Sequence, residues 1–228
     1  MPRPRNEELH RRVTATAFDQ LLTRGIAATS YASVASACGT TRAVVQDYYP
    51  RKNDMLGALS KALNDIAMQV TLAAYETLDI SDEQAKKVGH LFLSGSAYFE
   101  YMQRAASRRD FLRELLRDRD QTESLISSVM YRSFDEIGRL DVVDDPAYRN
   151  DLIMSIGGFY ELFYDHLKRG VHFDPTLYFG QMTRVWMHAA GFSREQTAEV
   201  LRACEAALED INALAARMER AVDDLLAR

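Results

Sequence analysis

The stretch Ser30–Lys52, SYASVASACGTTRAVVQDYYPRK, constrains this chain more than any other. It encodes two short helices around a tight turn. Ser30 stands at the cap position of the first helix, and Tyr31, Val34 and Ala35 form its buried stripe. Gly39 follows a run of small residues and supplies the left-handed turn that a side chain resists. Thr40 and Thr41 offer a cap to a second helix over residues 42–49, anchored inward by Val44 and Val45 and stopped by Pro50. Arg42, Gln46, Asp47 and Tyr48 occupy its free faces. This is the pattern of a helix-turn-helix, whose second helix lies in the DNA major groove.

Charge supports that reading only when it is resolved along the chain. The whole sequence of 228 residues carries −5. Residues 1–52 hold eight Lys/Arg against four acids, a net of +4, so the remainder carries −9. A basic head on an acidic body suits a DNA reader whose body avoids phosphate, although chance asymmetry gives the same numbers. No run approaches the ~18 apolar residues of a membrane helix, and the N-terminus has no apolar core of a signal peptide. Cys38 and Cys204 stand far apart without CxxC spacing, which points to a reducing, cytoplasmic setting without a disulfide framework or zinc site.

Every other segment has helical periodicity, so the expected fold class is all-α: a three-helix head over residues 1–52 and a larger helical body over 53–228. Residues 1–7 read as a disordered arm in which Arg3 and Arg5 either reach the DNA or remain solvated. Helices are expected over 8–24, ended by Gly25, then over 52–78, 81–105, 122–140, 146–169 and 175–190. Residues 108–120 read as a charged, solvated segment with Asp110–Arg113 and Glu114–Arg117 pairs. From Ser193 a last helix runs to the C-terminus. Its seam, Leu201, Cys204, Leu208, Ile211, Ala215, Met218, Val222 and Leu225, steps by 3 and 4 in strict alternation, as heptads do. That seam can pack on its own bundle, across a dimer, or on another protein.

The ordered set Gly25, Ser30, Val34-Ala35, Gly39-Thr40-Thr41, Tyr48-Tyr49 and Lys52 resembles the head of the tetracycline-repressor (TetR) family of transcriptional regulators. The resemblance spans about residues 9–60, and the body matches in kind only. Two positions depart from the family pattern. Gln46 stands where relatives carry a tyrosine that touches phosphate, and Arg51 replaces a small capping residue. Position and donor chemistry then assign roles. Arg42 suits a guanine edge and Gln46 an adenine edge or a phosphate. Ser30, Thr40, Thr41 and Tyr48 carry hydroxyls suited to phosphate, and Lys52 a point charge for the DNA backbone. For Ser30 and Thr41, capping alone explains the residue equally well.

The resemblance implies a ligand cavity in the body and a dimer built on the helix pair 146–169 and 175–190. Candidate ligand-binding residues are Tyr98, Tyr101, Met102, Met130, Tyr131, Phe134, Phe159 and Phe163, although such a Met/aromatic stripe is also what a plain core looks like. Candidate dimer residues are Gly157, Gly158, Tyr160 and Trp186. The implied function is a homodimeric repressor of a near-palindromic double-stranded DNA operator, released by a bulky, largely apolar small-molecule effector. It needs no metal or cofactor and has no membrane partner. The alternative is an effector or scaffold of the same fold that no longer reads DNA directly. An enzyme is disfavoured, since HExxH, Glu-x-x-His pairs, a nucleophile elbow and a Gly-rich phosphate loop are missing from the sequence.

Overall fold

Side-chain caps start most of the helices. In the computed structural model, which describes residues 6–208 and 210–227, Asn6 caps α1 (Glu7–Ala28), Ser30 caps α2 (Tyr31–Ala37) and Thr41 caps α3 (Arg42–Tyr48). The arm at Arg3 and Arg5 lies outside the described residues. Each cap oxygen takes one of the amides that a helix leaves free at its first turn. The departure at Arg51 is repaired from inside α4 (Lys52–Glu76): the Asp54 carboxylate accepts the Arg51 amide at 2.8 Å and pairs with its guanidinium at 2.8 Å. That pairing holds the Asp54 carboxyl below its ordinary pKa.

The head closes around Val13, Ala17, Phe18 and Leu21 of α1, Val34 and Ala35 of α2, and Val45 of α3, all buried. Leu56 and Met55 of α4 join the same core, so the head is not a free-standing unit. At Gly25 the helix breaks, with φ +84° and ψ 174°, a conformation that favours glycine. One more turn, residues 26–28, follows the break.

The body is all-helical. α5 (Glu83–Arg104) is its axle, with Phe92, Leu93, Ala97 and Met102 buried against α4 and the helices that follow. Around it run α6 (Ala106–Arg117), α7 (Arg119–Ile137), α8 (Pro146–Arg169) and α9 (Pro175–Ala189). Asp145 and Asp174 each cap a helix whose first residue is proline, whose fixed φ suits a first helical position.

Two expectations are corrected here. Residues 108–120 are not a solvated segment. Most of them form α6, whose Phe111, Leu112, Leu115 and Leu116 are buried, as is Arg108, while Asp110, Arg113 and Arg117 stay exposed. The Asp110–Arg113 pair forms at 2.8 Å, but Glu114 turns to the head instead of to Arg117. The C-terminal helix is also not continuous. α10 (Arg194–Ala207) ends, and Asp210 caps α11 (Ile211–Leu226) by accepting the Ala213 amide at 2.8 Å. Both parts of the seam pack within the subunit, with Leu201, Cys204, Ala215, Met218 and Val222 buried against the bundle.

One loop is fixed by a side chain. Gln103 at the end of α5 donates to the Phe173 carbonyl at 2.8 Å and accepts the Phe173 amide at 3.0 Å, so the α8–α9 connection is tied on both its polar groups. Among the described residues, no helix is long and apolar enough to cross a membrane.

Candidate DNA-reading face and ligand cavity

On α3, Val45 is buried and Arg42, Ala43 and Asp47 are exposed, so the helix presents a free face beginning at its N-terminal turn. Gln46 is half-buried, one turn after Arg42. Thr41 accepts the Val44 amide at 3.4 Å as the cap of α3. Ser30 accepts the Ser33 amide at 3.1 Å, while Ser33 takes the Ser30 amide at 3.0 Å. Both hydroxyls are therefore used as acceptors, and their protons stay free to donate. Thr40 is half-buried and its amide closes the α2 turn on Ala35 at 2.9 Å.

Tyr48 is positioned from the N-terminus of α1. Its hydroxyl donates to the Asn6 carbonyl at 3.2 Å and its ring lies 4.6 Å from that of His10. Tyr49 is the packing aromatic, with its hydroxyl 2.7 Å from Thr14 Oγ1 and its pKa raised by burial. Lys52 departs from expectation. Its ammonium donates to the Ile26 carbonyl at 2.5 Å, below the break in α1, so one of its three donors is engaged in the protein. Burial lowers its pKa, with Glu114 acting in the opposite direction.

The same segment of α1 is gripped from the body. Glu114 Oε2 accepts the amides of Ile26 at 2.7 Å and Ala27 at 3.1 Å, the amides that the Gly25 break leaves without helical partners. A Cβ on Gly25 would lie 3.2 Å from that carboxylate. Sequence reasoning missed this contact because it assigned Glu114 to a solvated face.

Between α4, α5, α6, α7, α8 and α9 lies a cavity of about 560 Å³. That is within the usual range for small-molecule sites. Its floor is apolar and aromatic: Leu112, Leu115, Phe99, Phe159, Phe179 and Trp186. Its charged lining residues, Lys61 and Asp65 on α4 and Arg132 and Glu136 on α7, are exposed and form the mouth. Arg132 and Asp65 span the two helices at 4.0 Å.

Of the eight expected ligand-binding residues, Tyr98 and Phe159 line this cavity. Tyr101, Met102, Met130, Phe134 and Phe163 are buried core instead, and Tyr101 packs under the Arg108 guanidinium at 4.0 Å from its ring centre. Tyr131 is exposed, its hydroxyl 2.7 Å from Asp144 on the surface. The dimer expectations divide as well. Gly158 has open space above it and Gly157 faces Ile126 of α7. Tyr160 and Trp186 turn inward and line the cavity, because their wide apolar rings are buried on the inner faces of α8 and α9.

The cavity owes its room to a residue that sequence reasoning passed over. Gly95 lies in the small-residue run Ser94–Ala97 of α5, and the Phe179 ring rests directly on it: an added Cβ would sit 2.4 Å from Phe179 Cζ. The run itself was the available signal. Among the described residues, no group of three His, Cys, Asp or Glu is arranged to hold a metal ion. No protein-family model, curated protein or solved structure matches the chain.

Proposed function

We propose that this protein is a ligand-responsive, DNA-binding transcriptional regulator of the tetracycline-repressor type, acting as a homodimeric repressor. The observation that carries this reading is the pairing, in one chain, of an exposed recognition face on α3 with a cavity whose α6 wall also grips the head. Arg42 and Gln46 lie one turn apart on α3, with chemistry suited to base edges. α6 contributes Leu112, Leu115 and Leu116 to the cavity and Glu114 to the break in α1. A ligand that favours one position of α6 would thereby favour one position of the head.

Dimerisation supplies the second head that a near-palindromic operator requires, at about 34–36 Å spacing. The outer face of α8 and α9 suits it. Met154, Leu162 and Leu177 are exposed there, at 72%, 42% and 56%, and Gly158 lets another helix come close. Large exposed apolar side chains grouped on one face mark an interaction surface.

Selection from random-sequence duplexes, followed by gel shift across a salt series, tests the proposal. Sequence-selective, salt-sensitive binding is the expected result, and its absence would overturn the reading. The diversion of Lys52 to Ile26 favours a second reading, a scaffold of this fold that no longer reads DNA directly. Full regulatory activity of an Arg42→Ala variant would select it.

A further inference from the structure

Two phenols, those of Tyr98 and Tyr160, line the cavity. Tyr98 and Tyr160 are 9% and 8% exposed. Burial raises the pKa of both, and Tyr160 adds to the shift at Tyr98, so both stay protonated. Neither hydroxyl has a hydrogen-bond partner among the described residues, and neither oxygen is sealed from the cavity, since neither is among the fully buried unpartnered atoms. The same lining includes Trp186, whose indole nitrogen, unlike the phenol oxygens, is fully enclosed and unpartnered. A phenol that opens into an apolar cavity without a protein partner is free to serve a ligand or water there.

The rest of the lining restricts what that ligand can be. Phe99, Phe159 and Phe179 meet edge to face, with ring centres 4.7 Å and 4.8 Å apart, and offer ring faces and edges to an aromatic ligand. Among the buried lining residues the tyrosines are the sole ionisable groups, and the four charged ones stand at the mouth, two of each sign. A net charge on the buried part of a ligand would lose its hydration with no opposite charge there to replace it. A phenol is a better hydrogen-bond donor than acceptor, and an indole N–H only donates. The unfilled need is therefore for an acceptor.

We propose that the cavity takes an uncharged, flat aromatic molecule bearing a carbonyl oxygen, a ketone or quinone, with that oxygen accepting from Tyr98 and Tyr160. This rests on the reading of the cavity as a ligand site.

Trp186 is the single tryptophan of the chain, so its emission reports directly on occupancy. Titrate the full-length protein, without DNA, with 9-fluorenone, with fluorene, which has the same ring system and no carbonyl, and with 9-fluorenone-2-carboxylate. Fluorenone should bind about tenfold more tightly than fluorene and than the carboxylate. The double variant Tyr98→Phe/Tyr160→Phe should lose that preference while binding fluorene as the wild type does, which also shows that it folds. Equal affinity for ketone and hydrocarbon, tighter binding of the carboxylate, an unchanged preference in the double variant, or no binding of any probe would overturn the proposal. Because DNA is absent, ketone binding by a protein that selects no operator would leave this inference standing and remove the regulatory one.

Discussion

The Glu114 carboxylate receives the Ile26 amide at 2.7 Å, across 88 residues of sequence. Glu114 is on the helix that supplies three leucines to the cavity, and Ile26 is on the turn that precedes α2. The contact is short and charged, and of the stronger kind. Glu114→Ala should lower stability by about 1–2 kcal/mol and make operator affinity insensitive to ligand. Glu114→Gln keeps an acceptor and should restore most of the coupling. Thermal melts together with gel shifts with and without ligand check both points; a ligand response retained in the alanine variant would remove α6 from the coupling route.

Arg42 and Lys52 should separate cleanly in DNA binding. Arg42→Ala should weaken binding to the selected operator by about ten- to a hundredfold and relax the sequence preference at one base pair. Lys52→Ala should leave the slope of log K against log salt unchanged and instead lower the melting temperature, since its ammonium is held by Ile26. A phosphate-contacting lysine would reduce that slope by about one.

At Gly95, an added methyl group has no room while Phe179 stays in place. Gly95→Ala should push the ring into the cavity, costing about 1–3 kcal/mol of stability and lowering ligand affinity more than operator affinity. Fluorescence titration of Trp186 measures the first and gel shift the second.

The outer face of α8 tests the dimer. Met154→Asp places a charge where an apolar surface of a partner would lie, and should shift the protein toward monomer in sedimentation while leaving the monomer's helical circular dichroism unchanged. Operator affinity should fall in parallel. A wild type that sediments as a monomer would remove the dimer.

His90 predicts an acid-sensitive stability. The ring is buried, stacked 4.5 Å from Tyr75, with Nε2 3.0 Å from the Met68 carbonyl and 3.1 Å from Thr71. Burial lowers its pKa below the ordinary 6.5, with the Met68 carbonyl and Glu136 opposing. The unfolded chain then binds a proton that the native ring refuses, so stability falls as pH drops through about 6.5 and continues to fall until the native pKa is reached. Above the unfolded pKa this group has no effect. Denaturant midpoints between pH 7.5 and 5 should fall less steeply for His90→Gln than for the wild type.

The head was legible because each of its signals is local. Gly25, Ser30, Gly39 and Thr41 act within a few residues of where they stand, and the structure places each at the expected turn or cap. The body was legible as helices and less so as faces. In α6, charged residues interleave with Phe111, Leu112, Leu115 and Leu116 and conceal the stripe. In the C-terminal seam, the step from Leu208 to Ile211 has heptad spacing whether or not the helix continues, so periodicity hides the break that Asp210 caps. Which side of α8 or α9 faces inward depends on partners far away in sequence. Tyr160 and Trp186, dimer candidates by sequence, both line the cavity.

Gln103 leaves a further consequence for how this body can change over time. By meeting both polar groups of Phe173, its carboxamide does for one residue what a neighbouring strand would do. The crossing from α8 to α9 is thus registered to α5 by an amide pairing and not by the length of its loop. Insertions between Gly170 and Asp174 should be tolerated only on the α8 side of Phe173, where added residues can bulge outward without displacing the paired one.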